Sequence, residues 1–304
     1  ETLMTAAGSQ EVVPPPDAVQ DKIGFLLNNM SSSNVRAKSE ELQELLQQHA
    51  GSIQWFAHYL VVRRVALEPN FHSLYTAMTE ALSIRTLCRS ILTSTLQNAR
   101  VLLGSAKIRS SSSERSLLKN LGSWLGQITL ARNKPLLMRD IDLKELVCDA
   151  YERGLLIAVV PFVAKVLDAC ATSRVFLPPN PWVMALMSLL MELYQVPDLK
   201  LNLKFEIEVL AKTLKVELAD IKPTAKLVHR HQDRTQTCDF ANRAGAAAVL
   251  GGPMGSSSFS NLAGVPAAAA SASFSGMMPD SMSGMPSDAM GLRQAFGGHA
   301  QPPP

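Results

Sequence analysis

The sequence predicts an all-α fold, a HEAT-like solenoid of about five antiparallel helix hairpins. Apolar residues recur at i, i+3, i+4 and i+7 through most of residues 17–222, and no segment alternates apolar and polar residues for long enough to favour a strand. Ten predicted helices in about 205 residues pair as hairpins of about 40 residues, the length of a HEAT repeat. The chain shows no repeated consensus, and a compact helical bundle is the alternative.

Five helices are predicted before residue 105. Asp17 follows three prolines and is the predicted N-cap of the first helix, and the polar run 31–34 separates that helix from the second. Pro69 ends the third helix, Asn70 begins the fourth, and the fifth ends near Gly104. Their apolar stripes are Ile23, Leu26, Leu27 and Met30; Leu42, Leu45 and Leu46; Ile53, Phe56, Tyr59 and Leu60; Phe71, Leu74, Tyr75 and Met78; and Ile84, Leu87, Cys88 and Ile91.

The sixth and seventh helices carry the clearest boundary signals. Ser111 and Glu114 fit a capping box, and the stripe behind them includes Trp124, which we interpret as a structural core residue. The seventh helix is predicted from Asp142 to residue 153, because Gly154 is a typical helix terminator.

Three further helices complete the predicted domain. Residues 155–171 are apolar on nearly all sides, which predicts a central helix that Pro161 kinks or divides. Asn180 and Pro181 form an N-cap and first-position pair that begins the ninth helix. The tenth is predicted over residues 202–215.

Composition divides the chain into four segments. Residues 1–16 are a predicted linker, 17–222 the helical domain, 223–240 a basic connector and 241–304 a disordered linker. Ten of the 17 glycines lie in the last segment, which consists mainly of Ala, Gly, Ser, Met and Pro. Such a composition does not bury enough apolar surface to offset the entropy of folding.

Several function classes are excluded by composition and spacing. Lys+Arg 29 against Asp+Glu 26 is too balanced for a direct RNA binder, and the longest apolar run, residues 155–164, is too short to cross a bilayer. The four cysteines are scattered, which favours free thiols in a reducing compartment. No catalytic motif is present. We therefore predict no enzyme activity, no cofactor and no sequence-specific nucleic-acid binding.

The histidines do not suggest a metal site. His229 and His231 flank Arg230, a poor ligand set that is typical of a solvated basic turn. His49, His58 and His72 are isolated in the sequence and are expected at the surface or half-buried. We predict no metal centre.

Five ordered blocks resemble one known family. They are residues 67–75 (LEPNFHSLY), 115–122 (RSLLKNLG), 159–167 (VVPFVAKVL), 178–182 (PPNPW) and 199–210 (LKLNLKFEIEVL). Together they resemble the central domain of the Not-family scaffold subunit of the CCR-NOT mRNA deadenylase complex, over roughly residues 14–223. The sequence departs from the family pattern at residues 154–157, where the family has a longer polar connection, and the tail after about residue 223 shows no resemblance.

This resemblance implies a MIF-4G fold of five HEAT-like hairpins without enzymatic activity. It implies that one surface docks a Caf1-type deadenylase and another a DEAD-box RNA helicase, while other CCR-NOT subunits join through the rest of the scaffold. The implied role is in deadenylation, translational repression and mRNA decay, in the cytoplasm and P-bodies with a share in the nucleus. The EPNF block also occurs in initiation factor four G scaffolds, so a translation-initiation scaffold that binds an initiation helicase is the alternative.

The resemblance also assigns residues to these surfaces. The expected helicase contacts are Arg64, Glu68, Phe71, His72 and Tyr75, with a second contact at Trp182, Leu203 and Phe205. Arg64 and Glu68 are four residues apart, so both project from one face of a helix. For the deadenylase we expect the loops at residues 110–113 and 133–139. The alternative for each segment is an ordinary capped turn or a loop that packs on the core.

Overall fold

The computed structural model describes residues 13–232 and 238–240, and this part confirms the all-α prediction. It contains ten α-helices and no strand; a single antiparallel bridge joins Leu199 and Phe240. The helices are α1 (Asp17–Asn28), α2 (Val35–Gln48), α3 (Ile53–Tyr59), α4 (His72–Leu82), α5 (Arg85–Gly104), α6 (Ser112–Ile128), α7 (Leu143–Arg153), α8 (Leu156–Asp168), α9 (Pro181–Tyr194) and α10 (Leu201–Leu214).

The helices pack as a solenoid of two rows. In one row α2, α4, α6, α8 and α10 each contact the next member, and in the other row α3 contacts α5 and α7 contacts α9. Hairpin contacts join α1 to α2, α5 to α6, α7 to α8 and α9 to α10. This arrangement confirms the predicted HEAT-like solenoid, in which each hairpin buries its apolar face against its neighbours.

The centre of the domain is the contact between α6 and α8. A Cβ atom added at Gly122 would lie 2.7 Å from the carbonyl oxygen of Phe162, and one added at Gly126 would lie 2.5 Å from that of Val166. The two glycines therefore let the helix backbones approach more closely than side chains would allow. Most side chains of α8 are buried, as its composition predicted, and the helix continues through Pro161 without division.

The helix boundaries follow the cap signals with one exception. Ser111, Asp142 and Asn180 each accept backbone N–H hydrogen bonds at the start of α6, α7 and α9, and Gly154 ends α7 with a φ of 67°. Asp17 is not an N-cap. The helix begins at Asp17 itself, because the carbonyl of Pro16 already accepts hydrogen bonds from the first turn.

The described residues beyond 222 pack on the helices, although the sequence predicted a basic connector there. We call residues 224–232 and 238–240 the strap. The buried carboxylate of Glu192 on α9 accepts hydrogen bonds from the backbone N–H groups of Lys226 and Leu227. The carboxylate of Asp239 accepts two from the N-terminus of α8, at Leu156 N (3.0 Å) and Ile157 N (2.8 Å).

Arg230 attaches the strap to a third helix. It forms ion pairs with Glu145 (2.8 Å), Glu152 (3.2 Å) and Asp149 (3.7 Å) along α7, while His229 and His231 are exposed. The predicted linkers at 1–16 and 241–304 lie outside the described residues, except for 13–16.

The described ranges hold no cluster of three or more His, Cys, Asp or Glu residues placed to bind a metal ion. No helix among them has both the length and the apolar character needed to span a membrane. All four cysteines are free thiols, and burial raises the pKa of Cys170 to about 12.

Candidate functional site

The connection between α3 and α4, which we call the α3–α4 turn (residues 64–75), carries most of the predicted helicase contacts. The last turn of α3 widens into a π-helical turn, Leu60–Val65, that ends with Arg64 near its C-terminus. Pro69 then begins a short 3₁₀ turn that leads into α4 at His72. π-Helical turns are rare and occur often at functional positions.

Arg64 lies at the centre of a polar network. Its Nη2 donates to Oδ1 of Asn28 on α1 at 2.5 Å, and its Nη1 donates to Oε1 of Glu68 at 3.2 Å. The guanidinium carbon is 5.9 Å from the ring centroid of Tyr59. The predicted Arg64–Glu68 pair is therefore present, but only 16% of the Arg64 side chain is exposed, because three elements enclose it.

Tyr75 supports this network from the interior. Its hydroxyl donates to Oε2 of Glu68, and burial, followed by that hydrogen bond, raises the pKa of Tyr75. Its ring lies on the buried stripe of α4 with Met78 and Leu82. Tyr75, predicted as a helicase contact, is 3% exposed and holds Glu68 in position from within the protein.

His72 is also an interior residue. It is 1% exposed, and its ring centroid is 5.5 Å from that of Trp124 on α6, which is fully buried as predicted. Nε2 of His72 donates to the carbonyl of Val65 at 2.9 Å. Burial lowers the pKa of His72, and the bond to Val65 offsets part of that effect. His72, predicted as a helicase contact, begins the buried stripe of α4.

Two large apolar side chains of the turn remain available to a partner. Phe71 is 51% exposed, with its ring centroid 6.3 Å from that of Tyr75, and Leu67 is similarly exposed one turn earlier. The exposed Phe25 lies one turn before Asn28 on α1. The α3–α4 turn thus presents apolar side chains beside a fixed pair of opposite charges.

The second predicted helicase contact does not form one surface. Trp182 is half-buried and packs edge-on against Phe176 at 5.9 Å. Leu203, predicted as a helicase contact, is fully buried on the core face of α10, whereas Phe205 is exposed. Lys204 lies over the ring of Tyr194, 12 residues after Trp182 on α9. Trp182 therefore lies about 18 Å along α9 from Tyr194, the residue that Lys204 contacts next to Phe205.

Helix α6 links the α3–α4 turn to the start of α10. Asn120 Nδ2 donates to the carbonyl of Ala66 at 2.8 Å, and the neighbouring Lys119 forms an ion pair with Glu206. Phe205 precedes Glu206 directly, so the α3–α4 turn and the Phe205 contact both lie beside residues 119–120 of α6. Both linking residues lie in the sequence block at 115–122.

The two loops predicted for the deadenylase lie at opposite ends of α6. The loop at 110–113 precedes this 17-residue helix and the loop at 133–139 follows it, which separates them by about 25 Å. They do not form one compact surface.

Comparison with known proteins connects the domain to one family. The family model of the CCR4-NOT transcription complex subunit 1 CAF1-binding domain matches residues 11–237, nearly all of the described part.

Three curated relatives match most of the chain. The CCR4-NOT transcription complex subunit let-711 of Caenorhabditis elegans is 44% identical over an alignment of 253 residues that covers 79% of this chain. The general negative regulators of transcription subunit 1 of Schizosaccharomyces pombe and Saccharomyces cerevisiae are 41% and 39% identical over 68% and 69% of the chain. Each match covers 10% of the relative, so the chain spans about a tenth of the length of these proteins.

Proposed function

This chain belongs to the family of CCR4-NOT transcription complex subunit 1 CAF1-binding domains, and we propose that it is a non-catalytic scaffold domain that docks a Caf1-type deadenylase. The observation that carries the proposal is the family match over residues 11–237. The solenoid supports it, since stacked helix hairpins provide extended binding surfaces. In this role the domain brings the deadenylase to the complex for mRNA deadenylation, translational repression and decay, while other subunits bind the rest of the scaffold.

A direct test is binding to a purified Caf1-type deadenylase. The full chain and the deadenylase are mixed and passed over a size-exclusion column with light-scattering detection, where a one-to-one complex is expected. The chain alone should show neither RNA cleavage nor ATP hydrolysis. Separate elution of the two proteins contradicts the docking proposal, and nuclease activity of the chain alone contradicts the non-catalytic role.

We further propose that the α3–α4 turn docks a DEAD-box RNA helicase. The network around Arg64 supports this, because opposite charges that are already fixed can orient a partner at little entropic cost. Phe71 and Leu67 add apolar surface that a partner can bury. Helicases of this class have two lobes, and Phe205, across α6 from the turn, offers a second contact, with Trp182 as a weaker one.

A scaffold that touches both lobes changes the populations of their arrangements. If the domain binds the near-closed arrangement more tightly by about 1.4 kcal/mol, that state becomes about tenfold more populated, provided it is rare at the start. We therefore expect the chain to raise ATP turnover by the helicase without hydrolysing ATP itself.

Paired variants test this part of the proposal. The double variant Arg64→Glu, Phe71→Ala should lose both helicase binding and stimulation. The control is Arg36→Glu, Val228→Ala, which changes an arginine and an apolar residue that are exposed elsewhere. If the wild-type chain binds the helicase tightly yet leaves ATP turnover unchanged, the lobe-positioning mechanism is wrong and only tethering remains.

Partner identity distinguishes the deadenylase scaffold from the translation-initiation alternative. Affinity capture from cell extract should recover a nuclease and a helicase in stoichiometric amounts, and recovery of initiation factors alone supports the alternative. We also propose a cytoplasmic location with shares in P-bodies and the nucleus, which imaging of the tagged protein tests.

A further inference from the structure

We propose that one edge of the solenoid binds an acidic peptide segment that carries aliphatic anchor residues. The edge consists of residues 129–139, the first part of the connection between α6 and α7, and residues 169–180, which connect α8 to α9. We call it the loop edge. The edge includes the loop at 133–139, which the resemblance assigns to the deadenylase. The inference concerns the chemistry of the segment that this edge accepts, and it rests on the contacts of these two loops alone.

The two loops form one surface because a single side chain holds them together. Oδ1 of Asn133 accepts hydrogen bonds from Ser173 Oγ (3.0 Å), Arg174 N (2.9 Å) and Val175 N (3.1 Å). Asn133 itself has a φ of 59°, a conformation that asparagine tolerates better than most residues. Asn180 then donates to the carbonyl of Val175 at 2.9 Å. A peptide would therefore meet a surface that is already ordered.

Apolar side chains alternate between the core and the solvent along these loops. Leu136 and Phe176 are buried, whereas their neighbours point outward. The outward residues are Leu137, Met138, Val175 and Leu177, with Met138 75% and Val175 54% exposed. Four of the eleven exposed large apolar residues of the described part thus lie on this edge. A concentration of this kind marks an interaction surface more often than scattered single residues do.

A small cleft beside the loops can accept one anchor side chain. It has a volume of about 90 Å³, the space of about three water molecules, and its walls include Cys88, Leu92, Ile128 and Pro135. Five of the nine lining residues are Cys, Ile, Leu or Pro, and the other four are Thr79, Thr129, Arg132 and Lys134. Pro135 lies two residues before the exposed Leu137. The cleft and the four outward residues can therefore bind successive aliphatic side chains of one extended segment.

The charge of the loop edge specifies an acidic partner. Residues 129–139 and 169–180 contain Arg132, Lys134, Arg139 and Arg174. The two acidic residues that follow in the α6–α7 connection already have partners inside the protein, because Asp140 lies beside Arg139 and Asp142 caps α7. Arg132 pairs with Glu80 at 2.8 Å and Arg139 approaches Asp140 at 3.9 Å. Lys134 and Arg174 form no ion pair within the described residues, so two exposed cations remain for carboxylates of the partner.

The apolar residues favour a peptide over a nucleic acid. Single-stranded nucleic acids stack their bases on aromatic side chains. The outward residues of the loop edge are all aliphatic or methionine, and its aromatic residue, Phe176, is buried. A peptide with aliphatic side chains between carboxylates matches both the exposed aliphatic residues and the positive charge of the edge.

The test uses the full 304-residue chain and a fluorescent peptide that alternates glutamate and leucine. Binding is measured by anisotropy, beside an analogue with lysine for glutamate, one with serine for leucine, and an oligouridine of the same length. The glutamate–leucine peptide should bind at least tenfold more tightly than either analogue or the RNA. Equal binding of the lysine analogue or the RNA overturns the proposal, as does no binding of the acidic peptide.

Two pairs of variants locate the site. One double variant combines Lys134→Glu with Arg174→Glu, and the other combines Met138→Ser with Val175→Ser. Each should weaken binding of the acidic peptide at least tenfold. The matched controls, Arg36→Glu and Val228→Ser, should bind as the wild type does. If a double variant melts at a lower temperature than the wild type, the single variants Lys134→Gln and Arg174→Gln are measured in its place. Wild-type affinity in all the loop-edge variants overturns the assignment of the site.

Discussion

The α3–α4 turn and the loop edge are both exposed surfaces with charged and apolar residues, but the charges are paired at the turn, whereas two of them are unpaired at the loop edge. At the turn, Arg64 is bound by Asn28, Tyr59 and Glu68, and Glu68 is bound by Tyr75. At the loop edge, Lys134 and Arg174 form no ion pair within the described residues. A charge that is already paired inside the protein contributes to both folding and recognition, whereas an unpaired exposed charge contributes mainly to recognition.

A change at Gly126 should affect both surfaces together and produce the largest loss of stability. Gly126→Ala places a methyl group 2.5 Å from the carbonyl oxygen of Val166, so α6 and α8 must separate, at a cost of about 1–3 kcal/mol. Both surfaces depend on α6, through Asn120 at the turn and through the loop that follows α6 at the edge. Thermal and denaturant unfolding measure the loss.

Gly104→Ala is the matched control, because nothing lies within 4 Å of an added Cβ at the end of α5. It should leave stability within about 0.5 kcal/mol of the wild type. Equal effects of the two substitutions would show that the α6–α8 contact is not as tight as the structure indicates.

The second expected effect separates the surfaces. Arg64→Glu removes the cation beside Glu68 and adds a like charge in a partly buried network, so unfolding free energy should fall by about 1–2 kcal/mol. Helicase binding should be lost as well. Lys134→Glu should change stability by less than about 0.5 kcal/mol. Parallel melting curves measure the difference, and equal stability changes contradict the distinction between paired and unpaired charges.

Local sequence signals gave the helices and most of their caps. Ser111, Asp142, Gly154 and Asn180 act within three residues of their own position, which is why pattern alone locates them. The cap of α8 shows the limit, since Asp239 lies 83 residues after the N–H group of Leu156 that it binds. The sequence signal for this distant cap was the departure from the family pattern at 154–157. The connection there is short, so the N-terminus of α8 is capped by a residue from another part of the chain.

The candidate site was predictable as a segment but not residue by residue. The block at 67–75 places Phe71, His72 and Tyr75 within five positions, and the helical period alone does not state which of them faces the core. Packing against Trp124 and Glu68 decides it: His72 and Tyr75 face inward and Phe71 outward. The close approach at Gly122 and Gly126 was likewise invisible, because it depends on a helix about 40 residues later.

The third prediction concerns pH and applies to the turn. Burial lowers the pKa of His72 and of His58 from the ordinary value of 6.5, so the unfolded chain binds protons that the folded chain does not. The contribution of these groups to stability is complete above pH 6.5 and declines as the pH falls below it. Unfolding at pH 7.5 and 5.5 should show this decline, and His72→Gln should reduce it while His58 retains its share.

The loop edge provides the comparison for that experiment, because residues 129–139 and 169–180 contain no histidine. The free energy of peptide binding at the loop edge should therefore change little between pH 7.5 and 6.5. The free energy of unfolding should change more, over the range from pH 7.5 to 5.5. A pH slope of stability that is unchanged in His72→Gln contradicts the assignment to His72.

The smallest expected effect is that of salt. Screening shortens the range of exposed charges, with a Debye length of about 10 Å at 0.1 M and about 3 Å at 1 M. Acidic-peptide binding at the loop edge should therefore weaken several-fold over that range, while unfolding free energy, to which the enclosed Arg64 pair contributes, changes little. Peptide affinity that is insensitive to salt contradicts the role of Lys134 and Arg174.

The central claim is that one helical scaffold docks two partners at separate surfaces, and the mass of the mixed complex tests it most directly. Full chain, Caf1-type deadenylase and DEAD-box helicase are combined, and the molar mass is measured by light scattering after size exclusion. The account predicts a one-to-one-to-one complex for the wild type and a complex with deadenylase alone for Arg64→Glu. Mutually exclusive binding of the two partners, or loss of both from a folded Arg64→Glu chain, would contradict it.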